Sequence, residues 1–331
     1  MQNTPKSRTP SDRTQHRLIV GMIMILVIGI PLVGALYFFD QYRDAGPSLA
    51  DRAIMSAEDA VKKNPNAVTT RFGLAELYAA RGRYPDAITQ YEEILKVQPD
   101  TASVLLGRGR AYVALDKLDA AAVDFQKVID GATDKEMSNF DQSLEAAYYN
   151  LGAVELKRDK PKVAAELLAK AVLINRTDAD ALYLLGTAMV KSGDPKSGID
   201  ALHLAIDLVP TGWCDPYTAL GEAYASQKDS TGTQYANGMV ALCEKRFTEA
   251  LTQLKAATTG IHALEAFIGL GLLAEEQGDY TAAADAYNKA LTKEPKNFAA
   301  TTGLGRVAGT NQVHGSPAPS ASPAPSASVG G

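Results

Sequence analysis

A spacing of about 34 residues recurs through the middle of the chain, and it constrains the fold more than any other feature. Arg71-x-x-Leu74-Ala75-x-x-Tyr78 is followed by Gly82-x-Tyr84-x-x-Ala87-x-x-x-Tyr91-x-x-Ile94 and closed by Pro99. The spacing returns in Leu182-x-x-Leu185-Gly186-x-x-Met189, then Gly193-x-Pro195-x-x-Gly198-x-x-x-Leu202-x-x-Ala205, closed by Pro210. It returns again in Phe267-x-x-Leu270-Gly271-x-x-Ala274, then Gly278-x-Tyr280-x-x-Ala283-x-x-x-Tyr287-x-x-Ala290, closed by Pro295. Within each unit the large residues at positions 4, 7 and 11 form one stripe of a first helix. A small residue at position 8 and another at position 20 let neighbouring helices approach closely. A glycine near position 15 makes the turn, and a proline at position 32 stops the second helix. Such a unit cannot bury its apolar face alone, so it must stack on its neighbours.

These residues resemble the tetratricopeptide repeat (TPR), a helix-turn-helix unit of about 34 residues. The resemblance implies an all-α solenoid, wound as a right-handed superhelix. Full repeats fall at 68–101, 102–135, 145–178, 179–212 and 264–297. A lone helix at 49–63 leads in, an irregular section covers 213–263, and 298–310 is a shortened capping helix. The extra residues Glu136 to Leu144 lengthen a loop or extend the helix that follows them.

Leu18 to Phe39 contains no charged residue over 22 positions. As a helix it would span roughly 33 Å, enough for a hydrocarbon core of about 30 Å. A cleaved signal peptide is the alternative, but its apolar stretch is about 7–15 residues and a small-residue cleavage site should follow. The segment therefore reads as one transmembrane helix. Residues 1–17, with Lys6, Arg8, Arg13 and Arg17 against Asp12, carry +3. The positive-inside rule keeps this leader cytoplasmic and sends 40–331 across, so a single-pass protein of a bacterial cytoplasmic membrane is expected. Residues 40–48 are a linker. Residues 40–309 carry −8 of the chain's net −5, which argues against nucleic acid as a partner. The tail, 311–331, repeats SPAPSA without charge and should stay without fixed structure.

The irregular section holds both cysteines. Helices over about 215–228 and 232–245, folded back at Asp229-Ser230, bring Cys214 and Cys243 side by side, where an oxidising compartment would join them. Two separate, small buried thiols are the alternative.

No nucleophile elbow, phosphate-binding loop, dinucleotide fingerprint or metal-ligand spacing appears, and the four histidines are scattered. No catalysis, cofactor or metal is expected. What the TPR resemblance implies is protein or peptide binding on the inner face of the first helices. Position 5 of that face carries Phe72, Leu106, Tyr149, Tyr183, Thr218 and Ile268; position 9 carries Glu76, Arg110, Ala153, Thr187, Glu222 and Leu272. The expected groove comprises Phe72, Leu106, Arg110, Tyr149, Asn150, Tyr183 and Thr187, with packing against the next repeat as the competing role for some of them. The Lys/Asn carboxylate clamp of some TPR domains finds only Asn150 at a matching position. The expected function is a membrane-anchored scaffold or chaperone-like adaptor for envelope proteins. A fixed subunit of a larger membrane complex, or self-association, is the alternative.

Overall fold

The computed structural model describes residues 24, 26–38, 48–132 and 142–314. Among these residues every regular element is an α-helix. Helix α1 covers 26–38. It is followed by α2 (Leu49–Lys63), α3 (Val68–Ala80), α4 (Tyr84–Leu95), α5 (Ala102–Ala114), α6 (Leu118–Gly131), α7 (Gln142–Lys157) and α8 (Pro161–Ile174). Next come α9 (Ala179–Lys191), α10 (Pro195–Leu208), α11 (Asp215–Ser226), α12 (Ser230–Cys243), α13 (Phe247–Ala257), α14 (Ala263–Glu276), α15 (Tyr280–Lys293) and α16 (Phe298–His314). The chain divides into two compact units, Met1–Gln90 and Tyr91–Gly331.

In the first unit, Ile54, Leu74, Ala75 and Tyr78 are buried. The Tyr78 hydroxyl donates to Glu58 at 2.7 Å, and Arg81 pairs with Asp51 at 2.7 Å. Burial, then the hydrogen bond to Glu58, pushes the Tyr78 phenol up to about 12.

In the second unit one register contact repeats. The glycine at position 8 of the first helix faces a large residue 16 positions on, in the second helix. A Cβ on Gly109 would stand 2.5 Å from the Phe125 ring, one on Gly152 2.6 Å from Leu168, and one on Gly186 2.7 Å from Leu202. The same large residue fills the space beside a glycine of the following helix: Gly107 lies against Tyr91, and Gly303 against Tyr287. Small residues are thus required where two backbones and one bulky side chain meet. The alanines at position 20, Ala121, Ala164, Ala250 and Ala283, are fully buried for the same reason.

The turns share one device. The residue at position 15 is left-handed in Gly82, Asp116, Asp159, Gly193, Lys228 and Gly278. Only half are glycines, which corrects the expectation of a glycine turn throughout. A single non-glycine residue tolerates this conformation at a cost of about 1–2 kcal/mol, which the packing of the flanking helices offsets. In three turns the next residue is an aspartate that caps the second helix: Asp194 accepts from Ser197 N, Asp229 from Gly232 N, and Asp279 from Ala282 N.

The irregular section is a three-helix run, and α12 serves twice. Lys228 makes the turn into it and Lys245, also left-handed, makes the same turn out of it. A Cβ on Gly238 of α12 would stand 2.7 Å from Leu254 of α13, 16 residues on, so α12 pairs with α13 as a first helix does. The section is a half-repeat inserted in register.

At the helix ends the structure decides between two expected alternatives and moves one boundary. Helix α7 starts at Gln142, so the last three extra residues extend a helix; 133–141 lie outside the described residues. Helix α16 runs to His314, past the expected end of the cap, because Asn311 to His314 hold no helix breaker before Gly315-Ser316-Pro317. Of the expected transmembrane segment, 24 and 26–38 are described and helical; no helix among the described residues is long and apolar enough to cross a membrane. The leader 1–17, residues 40–47 and the tail from 315 lie outside the described residues.

Candidate functional site

The candidate groove is built on the first helices of successive repeats, α5, α7, α9 and α11. Each is held at its position-8 glycine and buried stripe, so positions 2, 5 and 9 recur on the opposite face. Tyr149 packs its ring partly against the core cluster of Leu168 and Leu185, and Tyr183 against that of Leu202 and Leu220. Both are half-buried. Trp213 was not anticipated; its ring meets Tyr183 edge-on, with centroids 5.3 Å apart. As the chain's one tryptophan, beside a cysteine at the start of a first helix, it carried the information needed to find it.

The remaining expected residues divide. Arg110 is exposed. Asn150 donates its amide to Ala146 O at 2.7 Å, and the Thr187 hydroxyl donates to Tyr183 O at 2.9 Å, so both fasten their own helices. Phe72, in the first unit, is half-buried. Leu106 is a correction: it is only 6% exposed and shares a core cluster with Ala147 and Leu151 of α7. An apolar side chain under the neighbouring helix packs there rather than lining an open surface.

Carboxylates flank the tyrosines. Burial raises the Tyr149 phenol pKa, and Asp180, Asp178 and Glu145 add to the rise. Burial likewise raises that of Tyr183, with Asp215 and Glu222 adding to it. Glu145 is itself pushed up to about 7 by burial and by the Asp178 carboxyl.

Two neighbouring features lie behind the groove. Cys214 and Cys243 are joined, with Cα atoms 5.8 Å apart, tying the start of α11 to the end of α12. Inside, His203 Nε2 and the Tyr224 hydroxyl are 2.9 Å apart, the Tyr224 and His262 rings are 4.6 Å apart, and His262 Nε2 reaches Asp229 at 2.8 Å. Burial lowers the pKa of His203 and raises that of Tyr224. No group of three or more His, Cys, Asp or Glu among the described residues is arranged to hold a metal. An open hollow in the first unit is lined by Asp51, Ile54, Met55, Glu58, Arg81 and Arg83, whose charges are paired with one another.

The tetratricopeptide repeat profile matches residues 48–94, 74–136, 235–298 and 268–308. Superkiller complex protein 3 of Mus musculus is 34% identical over 79 residues, which are 22% of this chain and 5% of that protein. The chain therefore spans only a small fraction of that curated relative. The solved structure of YrrB, described as a TPR protein with an unusual peptide-binding site, is 20% identical; the match covers 61% of this chain and all of YrrB, with a TM-score of 0.50. A tetratricopeptide repeat protein from Parabacteroides merdae is 14% identical over 84% of this chain and 98% of its own, with a TM-score of 0.46. The repeat profile thus shows tetratricopeptide repeats over 48–136 and 235–308, and the helical solenoid fold is shared with YrrB.

Proposed function

We propose that the chain is a membrane-anchored, non-catalytic scaffold or adaptor whose first-helix groove binds an extended or helical segment of another protein. The observation that carries this reading is the pair Tyr149 and Tyr183. They occupy the same register position on adjacent repeats, where the repeat's own packing does not require an aromatic ring. Their apolar bodies are held on the core while part of each ring stays open, which suits a surface that must order little on binding. YrrB, which shares the fold, has a peptide-binding site, an analogy of architecture.

The anchor rests on 18–39. Its described residues leave Leu26, Val27, Ile28, Ile30, Leu32 and Val33 more than half exposed, on all sides of α1. So much uncovered apolar surface needs an apolar solvent, and lipid supplies one. The basic leader orients it with the solenoid outside the cytoplasm.

Tyr149→Ala combined with Tyr183→Ala should weaken capture of cross-linked partners from intact cells while leaving the helical circular dichroism unchanged. Undiminished capture sinks the groove assignment. A few partners at fixed ratio, rather than many substoichiometric ones, would make the chain a fixed subunit of a larger complex. Thiol labelling of Ser328→Cys but not Ser7→Cys by an impermeant reagent, with Cys214 and Cys243 replaced by serine, tests the topology.

A further inference from the structure

We infer that the groove around Tyr149, Tyr183 and Trp213 takes a basic segment of a partner protein, in which Lys or Arg side chains lie over the rings and against the flanking carboxylates. This rests on the groove reading above and adds the chemistry of the partner. Asp180, Asp215 and Glu222 are exposed, and none has an ion-pair partner among the described residues. First-turn acids offset the positive ends of their own helices, which accounts for Asp180 and Asp215. It does not account for Glu222, two turns into α11 beside Tyr183.

The pairing follows a register. The acid at position 2 of one repeat stands by the position-5 tyrosine of the repeat before it: Asp180 by Tyr149, and Asp215 by Tyr183. A partner lying along the groove therefore meets an aromatic face and a carboxylate alternately, the pair of features that binds a cation. Lys157 and Lys191 are exposed near the other ends of α7 and α9. The Tyr149 hydroxyl has no hydrogen-bond partner among the described residues, so it is free to bond a peptide backbone. The net −8 of residues 40–309 steers a basic segment toward this body rather than away from it.

The test is selection of a random dodecapeptide library on the immobilised full chain, followed by affinity measurement for the enriched peptides. Enriched peptides should be Lys- and Arg-rich and should elute at high salt. They should bind about tenfold more weakly to Asp180→Asn/Asp215→Asn/Glu222→Gln, and also lose affinity for Tyr149→Ala/Tyr183→Ala. Neutral or acidic peptides that depend on the tyrosines but not on the carboxylates overturn this inference and leave the groove standing. Peptides indifferent to both variants overturn both, and failure to enrich any peptide overturns the basic partner. The carboxamide changes are at exposed positions, and unchanged circular dichroism confirms that they fold. A synthetic peptide of residues 1–17 binding as tightly as the selected ones would put this chain's own leader in the groove and remove the partner.

Discussion

Gly109 lies so close under the Phe125 ring that a single added methyl would stand 2.5 Å from it. Phe125 is fully buried and cannot swing aside. In an open helix Gly→Ala gains about 1 kcal/mol of helix propensity. Here overpacking, at about 1–3 kcal/mol, outweighs that gain. Gly109→Ala should therefore lower the denaturation midpoint. Gly305 holds the same register position in α16, but nothing lies within 4 Å of its added methyl, and among the described residues no second helix follows α16. Gly305→Ala should raise stability by up to about 1 kcal/mol. Urea titrations of the two variants, giving shifts of opposite sign, check the register; shifts of one sign would refute it.

The bond between Cys214 and Cys243 spans a sequence separation of 29. Closing a loop of that length in the unfolded chain stabilises by about 3–4 kcal/mol in the chain-entropy account. Cys214→Ser/Cys243→Ser should destabilise α11 and α12, read as faster amide exchange there than elsewhere. Trp213 is adjacent to Cys214 and packs on Tyr183, so its fluorescence should change on reduction. Mass mapping of non-reduced protein from cells that finds two free thiols would remove the bond and, with it, one argument for an oxidising compartment.

His203 is half-buried beside the Tyr224 hydroxyl, and desolvation holds its pKa below the ordinary 6.5. Glu265, Asp207 and Asp200 oppose that shift, and His262 assists it. The folded state thus binds fewer protons here than the unfolded chain. The stability linked to this residue is present above about 6.5 and is lost as pH falls through the folded-state value. The melting temperature of the native protein should drop more steeply between pH 7.5 and 5 than that of His203→Gln, which keeps a hydrogen-bonding group without the titration. Parallel curves would assign the acid sensitivity to other groups.

The fold was legible because its information is periodic. Leu74, Ala75 and Tyr78 reappear as like residues in each repeat, and a run of prolines marks where second helices end. The twofold use of α12 was encoded as well, in Gly238 and Leu254, but no position-4 leucine or closing proline accompanies them, so the half-repeat carries only part of the pattern. The groove was less legible. Tyr149 and Leu106 have equal claims by register, and only the approach of α7, lengthened by an insertion, covers one and leaves the other half open. Burial at a fixed repeat position depends on the neighbouring repeat, which a single-repeat pattern does not contain.

Glu145 and Asp178 lie at the two ends of one repeat and bring two carboxyl groups together, and burial and the shared site push Glu145 up to about 7. The sign is opposite to that of His203. The folded state binds more protons than the unfolded chain, whose glutamate titrates near 4.5. The stability this group contributes is fully present below about 4.5 and is lost as pH rises through about 7. Glu145→Gln, neutral at every pH, should melt above the native protein at pH 8 and no higher than it at pH 4.5. The two causes separate through Asp178, whose carboxylate also caps α9 by accepting from Ala181 N at 3.0 Å. Asp178→Asn retains an acceptor for that cap and removes the neighbouring charge. If the shared site governs, Glu145 in this variant should titrate well below 7 by carbon-13 NMR of labelled glutamate side chains. If burial alone governs, its titration should stay where it is.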